Sequence, residues 1–175
     1  VGRYLADGWR CLDTDRRIIV CCAPDESEDL ARCIQDAGFY GSKAACGATD
    51  RHVITDKQLF DFLGEFGDKA HGKRIPRVAL ELNPFNAECL VRGFLAGDGY
   101  REHPKKRANE SKRTGGSWRG ATVSRALALG IALLAQRGRN VVAGVRRHRV
   151  ERRTVIEGRE VNQRDWYTID IPDRN

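Results

Sequence analysis

Apolar residues fall into two kinds of segment along this chain. Short β-branched runs such as Arg17-Ile18-Ile19-Val20-Cys21-Cys22 predict strands, and stripes at helical spacing predict helices. The first stripe, Val1 to Asp7, is a small-residue helix that runs into Gly8. Trp9 to Leu12 is a short strand, Asp13-Thr14-Asp15 a turn, and Arg17 to Cys22 the returning strand of a hairpin. Pro24-Asp25-Glu26-Ser27 caps a helix with Glu28 and Asp29 in its first turn. Leu30, Cys33, Ile34 and Ala37 form its apolar stripe, and Gly38 stops it. Phe39 to Ile54 reads as two short strands around 47–50. Thr55-Asp56 caps a helix with Leu59, Phe60, Phe62 and Leu63 as its buried side, ending near 64–67. A further helix starts at Pro84-Phe85-Asn86 and ends at Asp98.

The remainder repeats this order. Arg101 to Gly116 is a polar, basic hairpin, and Trp118 to Val123 is its returning strand. Ser124 caps a helix carrying Ala126, Leu127, Leu129, Ile131, Leu133 and Leu134, which ends at Gly138. Asn140 to Val150, Glu151 to Ile156 and Trp166 to Ile171 read as strands. Helix, hairpin, helix and strands therefore recur at long period. The expected halves are 1–88 and 89–175, the second apparently truncated, because it lacks the later helix of the first and has no lysine after Lys112.

Both helices that open a half share one pattern, small-x3-small-Asp-Gly-aromatic: Gly2, Ala6, Asp7, Gly8 and Trp9, then Gly93, Gly97, Asp98, Gly99 and Tyr100. Residues four apart lie on one helix face, and a face without bulk lets two helix backbones approach closely. The Gly after each Asp is the usual residue just past a helix end. A carboxylate there is electrostatically misplaced, because a helix C-terminus is already negative. Two such acids at the end of a paired seam call for a cation, most simply a divalent metal with oxygen ligands.

These residues resemble the two motifs of the LAGLIDADG homing endonucleases, the dodecapeptide (DOD) type often embedded in inteins. The similarity extends to the order of elements over most of the chain. The resemblance implies an α+β fold of two pseudo-symmetric αββαββα-like halves, with paired central motif helices and antiparallel DNA-binding sheets. It implies metal binding by Asp7 and Asp98, aided by the backbone carbonyls of Ala6 and Gly97, with Mg²⁺ (or Mn²⁺) as cofactor. The segment Lys73-Arg74-Ile75-Pro76 matches the family's K-x-I-P, so Lys73 falls where the family's active-site lysine lies beside the scissile phosphate. Taken alone, Lys73 reads equally as a solvated surface lysine. The implied activity is a hydrolytic double-strand break in a long specific DNA site, mediating intein or intron homing, by a monomer. The alternatives are a LAGLIDADG-fold DNA-binding regulator or RNA maturase without nuclease activity, and a basic interaction module.

Charge agrees with a polyanionic partner. The 175 residues carry a net +7, with pI near 9.3. Between 101 and 153 the only acids are Glu102, Glu110 and Glu151. The candidates for DNA contact are Arg101, Lys105, Lys106, Arg107, Lys112, Arg113, Arg119, Arg146, Arg147 and Arg149. Arg10, Arg17, Lys43 and Arg51 are their first-half counterparts, with Arg16 beside them. In an alternating strand Arg147 and Arg149 share one face, and Arg146 and His148 the other; arginine can read guanine or hold phosphate. Trp9, Tyr100, Trp118 and Trp166 read as core or shoulder packing.

Composition (41% hydrophobic, 31% charged) is that of a globular chain, with no membrane-spanning run and no signal peptide. A cytoplasmic, nucleoid-associated location is expected. The six Cys lack C-x-x-C spacing and read as buried free thiols, with zinc or a disulfide scaffold as the lesser alternative. Met is absent, which suggests a piece of a longer intein or host polypeptide. The splicing residues are not visible, so self-splicing is not expected.

Overall fold

The computed structural model describes all residues except 13–14, 103–115, 151–152, 157–158 and 174–175. The predicted basic contacts Lys105, Lys106, Arg107, Lys112 and Arg113 lie outside the described residues. In order, the elements are α1 (Gly2–Asp7), β1 (Gly8–Arg10), β2 (Ile18–Cys22), α2 (Ser27–Asp36), β3 (Gly41–Cys46), β4 (Thr49–Ile54) and α3 (Lys57–Gly64). Then come α4 (Lys69–Gly72), α5 (Arg77–Leu80), α6 (Pro84–Asp98), β5 (Gly99–Glu102), β6 (Ser117–Thr122) and α7 (Arg125–Arg139). β7 (Gly144–His148), β8 (Arg153–Ile156), β9 (Arg159–Asn162) and β10 (Trp166–Pro172) complete the chain. The hairpin β8-β9 extends the predicted strand at 151–156 with a second one.

Two antiparallel sheets have the same spatial plan: β1-β2-β4-β3, and β5-β6-β10-β7. Each begins directly after a motif helix. The two motif helices α1 and α6 run parallel, Gly2 against Leu90 and Gly93, and Ala6 and Asp7 against Gly97. The contact is backbone to backbone. A Cβ on Gly2 would stand 2.7 Å from Gly93 Cα, and one on Gly97 would stand 2.5 Å from the Ala6 Cβ.

Gly8 and Gly99 do not adopt the left-handed conformation expected past a helix end. Their φ values are −104° and −116°, extended, because each residue leaves its helix straight into a strand. Glycine is required there by space: a Cβ on Gly8 would meet Tyr4 Cα at 2.7 Å, and one on Gly99 would meet Leu95 Cα at 2.7 Å.

Side-chain caps start α3, α6 and α7, whereas the predicted cap of α2 at Pro24-Asp25-Glu26-Ser27 is instead a 3₁₀ turn leading into the helix with no side-chain cap bond. Asp56 Oδ1 accepts from Leu59 N at 2.7 Å, Asn83 Oδ1 from Asn86 N at 2.9 Å, and Ser124 Oγ from Leu127 N at 3.2 Å. The core lies between helices and sheets, with Leu5, Phe66, Val91, Phe94, Ile131, Leu134, Ile169 and Ile171 almost fully buried. The apolar stripes are narrower than predicted. Phe62, Leu129 and Leu133 are exposed, as are Cys33, Ala37 and Ala126, so each helix buries one side only. All six cysteines are free thiols, yet only Cys22 is buried.

Gly93→Val tests the seam. Forcing side-chain volume between two backbones costs about 1–3 kcal/mol. The unfolding free energy from urea titration is expected to fall by that amount, while Leu133→Ala on the exposed side of α7 changes it by no more than about 0.5 kcal/mol.

Candidate active site and nucleic-acid interface

Because α1 and α6 are parallel and in contact at their ends, their negative C-termini converge and bring Asp7 and Asp98 together. Burial raises the pKa of both acids. For Asp98 the charge of Asp7 adds to burial, and its pKa is pushed up to about 6, against the opposing pull of Lys73 and Arg3.

Two cations of the chain itself enter this negative end. Lys73 is 5% exposed, and its Nζ donates to the carbonyls of Tyr4, Leu5 and Ala6 at 2.9, 2.9 and 3.0 Å. Those are last-turn carbonyls of α1, so Lys73 is a buried cationic C-cap. Burial lowers its pKa to about 8. Its backbone carbonyl accepts from the Ser124 hydroxyl at 2.5 Å, which ties the start of α7 to the same point. Lys73 is thus not a solvated lysine, and the Ala6 carbonyl, a candidate metal ligand, already accepts its proton.

The second cation, Arg3, was not singled out in the sequence. Its guanidinium donates to the Ala96 carbonyl in the last turn of α6 and to Glu26 Oε2 at 2.8 Å. Arg3 and Lys73 therefore satisfy the ends of the two motif helices, one each. An arginine within a small-residue helix facing its partner's C-terminal turn was the available signal.

Asp98 and Lys73 line a cleft of about 320 Å³ whose other walls include Ala121, Val123 and Trp166. A larger groove of about 860 Å³ between α2 and α6 contains neither aspartate. Among the described residues, no cluster of three or more Cys, His, Asp or Glu is placed to hold a metal.

Strand register sorts the basic residues by face. In the first sheet Ile18, Val20, Cys22 and Ile54 face the helices. Arg10 and Lys43 share that inner face with them. Arg10 makes a bidentate pair with Asp68, at 2.8 and 2.7 Å, and also bonds the Phe60 carbonyl. Lys43 pairs with Asp50 at 3.0 Å. Neither lies on the outer face of the sheet, although Lys43 is solvent-exposed at its edge strand. The outer face carries Trp9, Ile19, Cys21, Ser42, Ala44, Arg51 and Val53, with the Arg51 guanidinium 6.0 Å from the Trp9 ring centre.

In the second sheet Trp118, Val145, Tyr167, Ile169 and Ile171 face inward. Tyr100, Arg119, Ala121, Arg146, His148, Trp166, Thr168 and Asp170 face out. Arg119 is held by Asp170 at 2.5 Å and Glu102 at 2.9 Å. Arg147 pairs with Asp165, Arg101 with Asp173, and Arg17 lies 3.7 Å from Asp15. β7 ends at His148, so Arg149 is exposed beyond the strand and does not share a strand face with Arg147. Of the aromatics expected to pack, Trp118 does, whereas Trp9, Tyr100 and Trp166 lie on outer faces.

No family model matches the sequence, and no curated protein does. Solved structures match its fold. A variant of the homing endonuclease I-DmoI aligns with TM-score 0.57 and 10% identity, over 97% of this chain and 84% of that one. I-DmoI in complex with DNA and Mn aligns at 0.56 and 10%, over 97% and 85%. The N-terminal LAGLIDADG domain of DUF199/WhiA aligns at 0.54 and 12%, over 98% and 71%. The chain has the α+β LAGLIDADG fold, as the order of its elements implied.

Asp98 binds a proton more readily folded than unfolded, so between about pH 4 and 6 the folded state holds more protons and stability falls as pH rises. In EDTA, Asp98→Asn is expected to remove that fall and to raise stability at pH 8 by ~1–3 kcal/mol. Urea unfolding of both proteins at pH 4 and pH 8 checks it; identical pH profiles count against it.

Proposed function

We propose that this chain is a site-specific DNA endonuclease of the homing type, belonging to an intein- or intron-borne mobile element and acting as a monomer with halves at 1–88 and 89–175. One observation carries the reading: two desolvated carboxylates at the joined ends of parallel helices, one of them, Asp98, lining a cleft that reaches the outer face of a sheet. The partner is double-stranded DNA laid across the outer faces of both sheets, where Arg51 and Arg146 are exposed. The net charge of +7 favours its approach.

Asp7 and Asp98 fit a hard divalent cation. Asp7 raises the proton affinity of Asp98, and a cation between or beside them relieves that repulsion. Mg²⁺ commonly takes only one or two carboxylates and completes its shell with water and phosphate oxygens, so a two-acid site suffices. When bound, Mg²⁺ or Mn²⁺ supplies Lewis-acid stabilisation and lowers the pKa of water. Lys73 acts in this reading as a positioning residue. It fixes the last turn of α1 and hence Asp7, and its charge favours the ionised form of both acids.

One observation favours a second reading, DNA binding without cleavage. All three donors of Lys73 engage α1 carbonyls, and none is left to meet a phosphate.

A supercoiled plasmid carrying the uninterrupted host locus, incubated with Mg²⁺ or Mn²⁺, separates the two. The endonuclease reading expects linear product from the parent chain and none from Asp98→Asn. It also expects Mn²⁺ to raise the thermal midpoint of the parent but not of the variant. Specific retention of the locus with no cutting by either protein supports binding alone.

A further inference from the structure

The two sheets present chemically unequal outer faces, and this inequality bears on how DNA is read. It rests on the proposal that duplex DNA lies along those faces. The first sheet offers Trp9, Cys21, Ala44 and Val53, with small hydroxyls at Ser42 and Thr49, while Ile19 on the same face is buried. Arg51 is its one outward cation among the described residues, and it lies against the Trp9 ring. Apolar groups of this kind touch thymine methyls but supply no pattern of donors and acceptors.

The second sheet offers hydrogen-bonding groups already held in place. His148 stacks on Trp166, with ring centres 4.0 Å apart, and shares a 3.1 Å hydrogen bond with Thr168 Oγ1. Arg119 is fixed by Asp170, Glu102 and the Tyr100 hydroxyl. Arg146 pairs in register with Thr168, two residue pairs along from His148 opposite Trp166, and is exposed on the same face. Side chains fixed before binding lose less entropy when they engage bases, and they can reject a wrong donor–acceptor pattern. Trp166 also lines the cleft that holds Asp98, so this face is continuous with that acid.

We infer that sequence discrimination is carried by one half of the molecule. The outer face of the second sheet, through Arg146 and His148, reads base edges. The first sheet, through Arg51 and its apolar surface, contributes affinity with little choice of sequence beyond A·T tolerance.

Selection of the 175-residue chain against a randomised 30-base-pair duplex library, in Ca²⁺ to hold binding apart from cutting, tests this. The expected result is a site with most of its sequence preference on one side. His148→Ala and Arg146→Ala should each lower the preference for specific bases on that side about fivefold or more. Arg51→Ala should weaken all duplexes by a similar factor and leave the selected sequence unchanged. Arg146→Lys, a surface change that keeps the charge, should retain affinity and lose preference; thermal melts confirm that each variant is folded. Equal preference on both sides, binding without preference, or an altered site in Arg51→Ala overturns the inference while leaving DNA binding intact. Retention of no duplex at all sinks the DNA reading itself.

Discussion

The rest of the molecule depends on the contact of two parallel helices through glycine. Glycine at 2, 93 and 97 lets the backbones meet, and a parallel meeting sets both C-termini side by side. Each terminus carries partial negative charge, and each ends in an aspartate. Close packing therefore concentrates negative charge at one point, and the fold has to answer for it. Lys73 and Arg3 do so by bonding the last-turn carbonyls of α1 and α6. The acids stay desolvated with raised pKa values, poised for a further cation.

That answer explains the course of the chain between the halves. Lys73 is held from both ends, by its ammonium at α1 and by its carbonyl at Ser124, the N-cap of α7. Ile75, two residues on, packs where Gly130 leaves room on α7. The short segment after α4 thus bolts the first motif helix to the second half. An unpaired lysine buried in this way would be costly; three carbonyl acceptors and two nearby carboxylates make it tolerable.

Much of the plan was legible because it is written in local chemistry. The paired glycines with their trailing acids gave the seam, and the caps at Asp56 and Ser124 gave the helix starts. β-branched runs such as Arg17 to Cys22 gave strands. What was not legible depends on register and on partners distant in sequence. Arg10 looks like any other basic residue next to a motif, but alternation turns it inward to Asp68, 58 positions away. Lys43 is likewise captured by Asp50. Trp9 and Trp166 are apolar enough to pass for core, yet the same alternation turns them out. The extended conformation of Gly8 and Gly99 was hidden too, because the sequence Asp-Gly does not say whether the chain will turn or run on into a strand.

Superposing the sheets by register, with Gly8 on Gly99, shows how far the halves differ beneath a common plan. Lys43 corresponds to Val145, His52 to Ile169, and Asp50 to Tyr167. The first half thus carries a polar network on its inner face, His52 bonded to the buried Ser27 hydroxyl and Asp50 to Lys43, where the second has an apolar layer. Burial lowers the His52 pKa, which favours a neutral imidazole bonded to Ser27 beside the Lys43–Asp50 ion pair. Such a network adds directional constraint where apolar packing supplies only area. It fixes α2 on the first sheet through bonds, whereas α7 sits on the second by packing. The symmetry of the fold therefore governs the backbone and the two aspartates, while the side chains inside and outside each sheet follow separate logic.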